Sequence, residues 1–132
     1  MSTSSAFADA PRVSRWCVFQ DKAAEALARN GVKARIVSFP CQRLFEEQSW
    51  EYRREVLQRA STVVVVIEAY AANGWERYAD ASFSMKSFGK SLPGKDVYKY
   101  FGFDGKAIAS KISVHLDDVK EGRAFKNEFR EL

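Results

Sequence analysis

Thr62-Val63-Val64-Val65-Val66-Ile67-Glu68 is the stretch that decides how this chain folds. Five consecutive β-branched apolar residues, Val63 to Ile67, do not alternate with polar ones. A strand with one wet face would alternate. An unbroken run suits a central strand covered by helices on both faces, the arrangement of parallel sheets. Glu68 ends the run and marks the carboxyl edge of the sheet.

Upstream, Asp21 to Asn30 reads as a helix, rich in Ala, with Asn30-Gly31 as its stop. Val32 to Phe39 reads as a strand closed by Pro40. Helix, glycine stop and strand make the αβ step of a parallel sheet. Arg43 to Arg59 reads as one further helix. Phe45, Tyr52 and Val56 share its inner face, while Glu46, Glu47, Arg53 and Arg54 point outward. Glu55 and Arg59 make its attractive pair four residues apart.

Downstream, Gly74-Trp75-Glu76-Arg77-Tyr78 reads as a turn and short helix, and Ala81 to Phe88 as a fourth strand. Residues 89–94 read as a loop and Asp96 to Phe101 as a short helix. A last helix starts at Asp104 or Gly105 and runs through Ile112. The expected fold is a three-layer α/β/α sandwich with a mostly parallel sheet. Residues 1–12 are expected to be a flexible tail, 13–112 the domain, and 113–132 a charged C-terminal helix or tail.

A chain of 132 residues fits one domain with a single core. No apolar run approaches the ~20 residues of a membrane span, so no membrane partner is expected. The N-terminus has no basic segment followed by an apolar one, so no secretory signal is expected. The net charge is +4, which raises the question of an anionic partner. In residues 41–59, however, four arginines face four glutamates, and no Lys/Arg block interleaves with aromatics. No nucleic-acid partner follows. Cys17, Cys41 and the single His115 cannot supply four zinc ligands in paired spacing. Both cysteines read as free thiols in a reducing compartment, and His115 as a surface residue of the charged tail. A cytoplasmic location is expected. Arg130-Glu131-Leu132 matches a peroxisomal Ser-Lys-Leu address only at its last residue.

Parallel sheets bind ligands outside the carboxyl ends of their strands. Here that edge is Pro40-Cys41, Glu68-Ala69-Tyr70 and Phe88-Gly89. Glu68 is either a tuned acid or a hydrogen-bonded structural carboxylate. With no partner acid, base or metal cluster in sight, the structural role is the expectation. Trp75, Tyr78 and Phe88 either anchor an interface or fill the core edge. Lys86, Lys90 and Lys95 flank a Gly/Ser loop that lacks the phosphate-loop pattern, so solvated lysines are expected. The candidate interface or ligand-edge residues are Glu68, Tyr70, Trp75, Tyr78, Phe88 and Lys90.

Several blocks together resemble the C-terminal domain of transketolases: Val37-Ser38-Phe39-Pro40, Leu44-Phe45-Glu46-Glu47-Gln48, Glu51-Tyr52-Arg53, Glu68-Ala69, Gly74 to Tyr78, Phe88-Gly89-Lys90-Ser91 and Tyr98-Lys99-Tyr100-Phe101-Gly102. Ser38 to Arg43, Glu68-Ala69-Tyr70 and Met85 to Gly94 are most similar to the dihydroxyacetone synthase branch, the formaldehyde-using transketolases of fungi. That family's domain opens with an apolar strand and a Gly-Ser turn, whereas here Arg12 to Gln20 occupies the place without a glycine.

The resemblance implies thiamine-diphosphate enzymes whose cofactor and magnesium are held by other domains. No Gly-Asp-Gly occurs in these 132 residues. No cofactor, metal or catalytic residue is therefore expected on this chain. The expected function is a non-catalytic module for assembly, whose partner is itself or a thiamine-diphosphate-binding chain. Two alternatives stand beside it. One is a subunit of a split transketolase or dihydroxyacetone synthase, peroxisomal if its partner is. The other is a small-molecule or anion-binding regulator using the carboxyl edge.

Overall fold

The computed structural model describes residues 3–6 and 18–132, with side chains from residue 20 onward. Five strands form one sheet: β1 Thr3–Ala6, β2 Ile36–Phe39, β3 Val65–Ile67, β4 Ala81–Phe83 and β5 Arg130–Glu131. Their order is β2-β1-β3-β4-β5. β3, β4 and β5 pair in parallel, while β1 is antiparallel to both β2 and β3. Four strands thus run one way, and β1 alone opposes them.

The valine run is buried on both sides. Val65 and Ile67 join Leu27, Phe83, Ile108 and Ile112 on one face. Val64 and Val66 join Phe39, Leu57, Trp75 and Tyr78 on the other. The first layer is built by α1, Val18–Arg29, and α5, Gly105–Lys120. The second is built by α2, Gln42–Glu46, and α3, Trp50–Leu57, with a 3₁₀ turn at Trp75–Arg77. A short helix α4, Gly94–Tyr100, follows the loop after β4. Burying each Val or Ile side chain contributes roughly 1.5–3 kcal/mol, so this strand is a main source of cohesion between the layers. The α/β sandwich is as the valine run predicts.

Several boundaries differ from the sequence reading, each for a local reason. Residues 3–6, assigned to a flexible tail, form β1, whose backbone pairs Ser4 with both Ser38 and Ile67. The rest of that tail, Cys17 and residues 12–17 of the segment standing where a first strand would begin, lie outside the described residues. Val18 to Gln20 open α1 instead of continuing a strand, with Asp21 favourably placed in the helix's first turn.

The single helix expected over 43–59 is two. Ser49 adopts an extended backbone (φ −60°, ψ 153°), and its hydroxyl accepts the Tyr52 N–H at 3.2 Å. A serine that caps in this way starts a new helix. β4 stops at Phe83 rather than Phe88 because its neighbours stop: β3 pairs no further than Phe83 and β5 no further than Ser82. The segment 113–132 is no separate tail. α5 runs unbroken through residue 112 to Lys120, and β5 adds an edge strand beside β4. No helix among the described residues is long and apolar enough to cross a membrane.

α1 and α5 cross closely at Gly105, which is buried. A Cβ there would stand 2.4 Å from the Lys22 Cβ and 2.9 Å from its carbonyl carbon. Gly105→Ala is therefore expected to cost about 1–3 kcal/mol in urea unfolding. Gly89→Ala, which meets nothing within 4 Å, is the matched control and should leave the midpoint in place.

Candidate functional site

The parallel strands β2, β3 and β4 release their chains at one edge of the sheet. Phe39 and Pro40 follow β2, Glu68 to Tyr70 follow β3, and Ser84 and Met85 follow β4. The Glu68 N–H bonds the Phe83 carbonyl at 3.0 Å, and the Met85 N–H bonds the Tyr70 carbonyl at 2.9 Å. These bonds continue the ladder beyond the strands and fix the loops side by side. A cleft of about 210 Å³ opens there, lined in part by Phe39, Pro40, Gln42, Glu68, Tyr70 and Trp75. The cleft itself gathers three of the six candidates, Glu68, Tyr70 and Trp75, and Phe88 lies further along the loop that follows β4.

The aromatic trio divides. Trp75 and Tyr78 are buried, and Phe88 is 97% exposed. Gly74 holds φ 86°, a left-handed conformation that suits glycine, and so starts the 3₁₀ turn that drives Trp75 inward. Phe39, Phe45, Trp75 and Tyr78 then stack edge-on or tilted, with centroids between 4.5 and 5.9 Å apart. The buried phenol of Tyr78 donates to Glu46 Oε1, and Glu46 also pairs with Arg77 at 2.9 Å. Burial first, and then the Glu46 carboxylate, push the Tyr78 phenol from 10.0 up to about 12. Tyr78 belongs to the core on this face of the sheet and does not line the edge cleft.

The three loop lysines do not converge. Lys86 donates to the Glu131 carbonyl at 3.3 Å. Lys90 lies 4.4 Å from the Tyr100 ring centroid. Lys95 stands at the start of α4 beside Tyr98 and Phe103. Cys41 is a half-buried free thiol at the N-cap of α2, where its side chain makes no capping bond.

Two residues depart from their sequence reading. His115 is buried, not on the surface, because α5 continues and places it seven residues after Ile108 and three after Ile112, on the inner face. That i, i+4, i+7 spacing was readable once the helix was known to extend. Neither ring nitrogen has a hydrogen-bond partner among the described residues. The imidazole is held below its ordinary 6.5 by burial first and Arg130 second, against the opposing pull of Asp118 and Asp80. Arg59 does not take Glu55 as its ion-pair partner. It reaches Asp80 instead, at 3.2 Å, along with the carbonyls of Arg77 and Ala79.

Residues 18–104 match the family described as the Transketolase-like TK C-terminal domain. The dihydroxyacetone synthase of Candida boidinii is 55% identical over 111 residues, which cover 84% of this chain and 16% of that protein. The dihydroxyacetone synthase of Pichia angusta is 41% identical over 116 residues, 86% of this chain and 16% of that one. Among solved structures, the transketolase of Pichia stipitis in complex with sedoheptulose-7-phosphate aligns with a TM-score of 0.74 over 89% of this chain and 18% of its own; at 22% identity it speaks for the fold alone. The chain spans 16% of the length of the curated relatives it matches.

In an ultraviolet titration, one of the five tyrosines should ionise near pH 12, and Tyr78→Phe should remove that step alone. A raised phenol stabilises the fold up to its unfolded value and loses that contribution as pH rises towards 12. His115 has the opposite sense. The unfolded chain takes up a proton near 6.5 while the folded one resists it. Stability should be full above that value and fall below it, and His115→Leu should flatten that acid slope in urea melts.

Proposed function

The chain belongs to the transketolase C-terminal domain family, related to transketolase and dihydroxyacetone synthase, and on that premise we propose that it is a non-catalytic assembly module. It docks through the carboxyl edge of its sheet on itself or on a chain or domain that carries thiamine diphosphate. The observation that carries this reading is the exposure of that edge. Phe88 is 97% exposed, Tyr70 61% and Leu92 46%. Large side chains left in water on the loops after β3 and β4 each offer roughly 1.5–3 kcal/mol on burial, and aromatics of this kind are the usual anchors of an interface. Buried Trp75 lines the cleft beside Tyr70 and supports the loop after β3.

In this reading, thiamine diphosphate and magnesium sit on residues outside these 132. Among the described residues, no three His, Cys, Asp or Glu side chains are grouped to hold a metal ion. The free Cys41 thiol suits a reducing compartment, cytoplasmic or, through a partner, peroxisomal. A second reading is favoured by the 55% identity to a dihydroxyacetone synthase. The chain would then complete an active ketol-transferring enzyme when joined to the cofactor-binding part.

The test mixes the purified chain with a dihydroxyacetone synthase that lacks its C-terminal domain, with thiamine diphosphate and magnesium present. Light scattering should report a defined complex, or a defined dimer of the chain alone. The Tyr70→Ser/Phe88→Ser variant should weaken either at least tenfold, about 1.4 kcal/mol or more. Ketol transfer restored only in the mixture supports the second reading. Ketol transfer by the isolated chain, or association that the variant leaves unchanged, would defeat the first.

A further inference from the structure

At the opposite end of the sheet, the amino edge, a second and larger cleft of about 490 Å³ lies between α3, the 58–61 turn and the 3₁₀ turn. Its wall carries four arginines, Arg53, Arg54, Arg59 and Arg77, with Trp50 and Tyr78, and among the described residues no carboxylate lines it. We propose that this cleft is a binding site for a phosphomonoester.

The four guanidiniums are not equally available. Arg59 is committed to Asp80 and to two backbone carbonyls, and Arg77 to Glu46. Arg53 and Arg54 are the uncommitted pair. No ion pair reaches either among the described residues. The sequence places both outward, yet Arg53 is half-buried, and its Nε is sealed from water without a hydrogen-bond partner. A buried donor left unsatisfied is costly; sealed from water, this Nε is closed to a ligand as well, and the terminal nitrogens of Arg53, engaged by no ion pair among the described residues, are the donors left for an anion. The Arg54 guanidinium lies 4.3 Å above the Trp50 ring centroid, which fixes its plane at the mouth of the cleft.

The charge balance favours an anion. Two uncompensated guanidiniums stand against the partial negative charge at the C-terminus of α3, about half an elementary charge. The cleft therefore keeps a net positive field. Guanidinium forks present paired N–H donors that match the oxygens of a phosphoryl group, and two such forks can share one dianion. The volume falls within the range of small-molecule sites, roughly 300–1,000 Å³. Trp50 is 59% exposed, which leaves an aromatic surface beside the charge for the organic part of the ligand. Lys86, Lys90 and Lys95 share no cleft of this kind among the described residues.

Calorimetry on the full chain, with the part of the tryptophan fluorescence that Trp50→Phe removes as a second readout, tests the proposal with inorganic phosphate, glycerol phosphate and adenosine monophosphate. Saturable binding of at least one probe is expected. Arg53→Gln and Arg54→Gln should each weaken it about tenfold, the effect of losing a charge-assisted bond, while Lys90→Ala should leave it unchanged. Arg54 is exposed, so its variant keeps the test decisive if the Arg53 variant melts early. Tighter binding of the nucleotide than of glycerol phosphate would assign the organic part to an aromatic base over Trp50. Equal binding of all three would assign recognition to the phosphoryl group alone. Binding by none of the three, or binding that both arginine variants leave intact, would overturn the proposal. The carboxyl edge is untouched by these variants, so the result is independent of any docking there.

Discussion

Asp80 is the contact from which the rest of the sheet is built. It is 1% exposed, and one carboxylate oxygen accepts the Val64 N–H at 2.8 Å while the other accepts from Arg59 at 3.2 Å. Its own N–H returns to the Val64 carbonyl at 2.8 Å. These bonds pin the residue before β4 to the residue before β3, and they set the register that puts Val65 opposite Ala81. Once the register is set, alternate residues of the valine run must face α1 with α5 or α3 with the 3₁₀ turn. A slip of one residue would exchange the two faces. A buried carboxylate without its partners costs several kcal/mol, so Arg59 is part of the fold even though it also lines a cleft.

The fold class was legible because it rests on one unambiguous pattern. Five β-branched residues in a row admit few other readings. Elements that rest on hydrogen bonds rather than periodicity were not legible. Ser49 looks like any polar residue on a helix surface until its hydroxyl is seen to cap α3. Thr3-Ser4-Ser5-Ala6 carries no apolar signal, since its place between β2 and β3 is a matter of backbone pairing. Asp80 stands out in no motif.

The site was legible in part for the same reason. Glu68, Tyr70 and Trp75 lie where strand ends must lie, and a strand end is readable from Pro40 and Glu68. That Trp75 and Tyr78 go inward while Phe88 stays outside depends on Gly74 and on the reach of Tyr78 to Glu46. Neither is encoded in spacing. The arginines of α3 were read as surface charges. Charge cancels along the sequence, but in space Glu46 and Asp80 satisfy Arg77 and Arg59 and leave Arg53 and Arg54 over. Counting charges by segment conceals a local surplus that geometry exposes.

The interior position of β1, between β2 and β3, bears on how the molecule is made. Of the described elements it is the first to leave the ribosome, yet both its partners come later, β2 at Ile36 and β3 at Val65. At ~5–20 residues per second, the second partner follows on the order of several seconds behind. Until β2 is made, β1 has no ladder to join, and until β3 is made the β1–β2 pair has no link to the later strands. Formation of the sheet therefore waits on synthesis of its second half. A nascent chain held at this stage would present two open strand edges, the form in which it is most exposed to pairing with another copy.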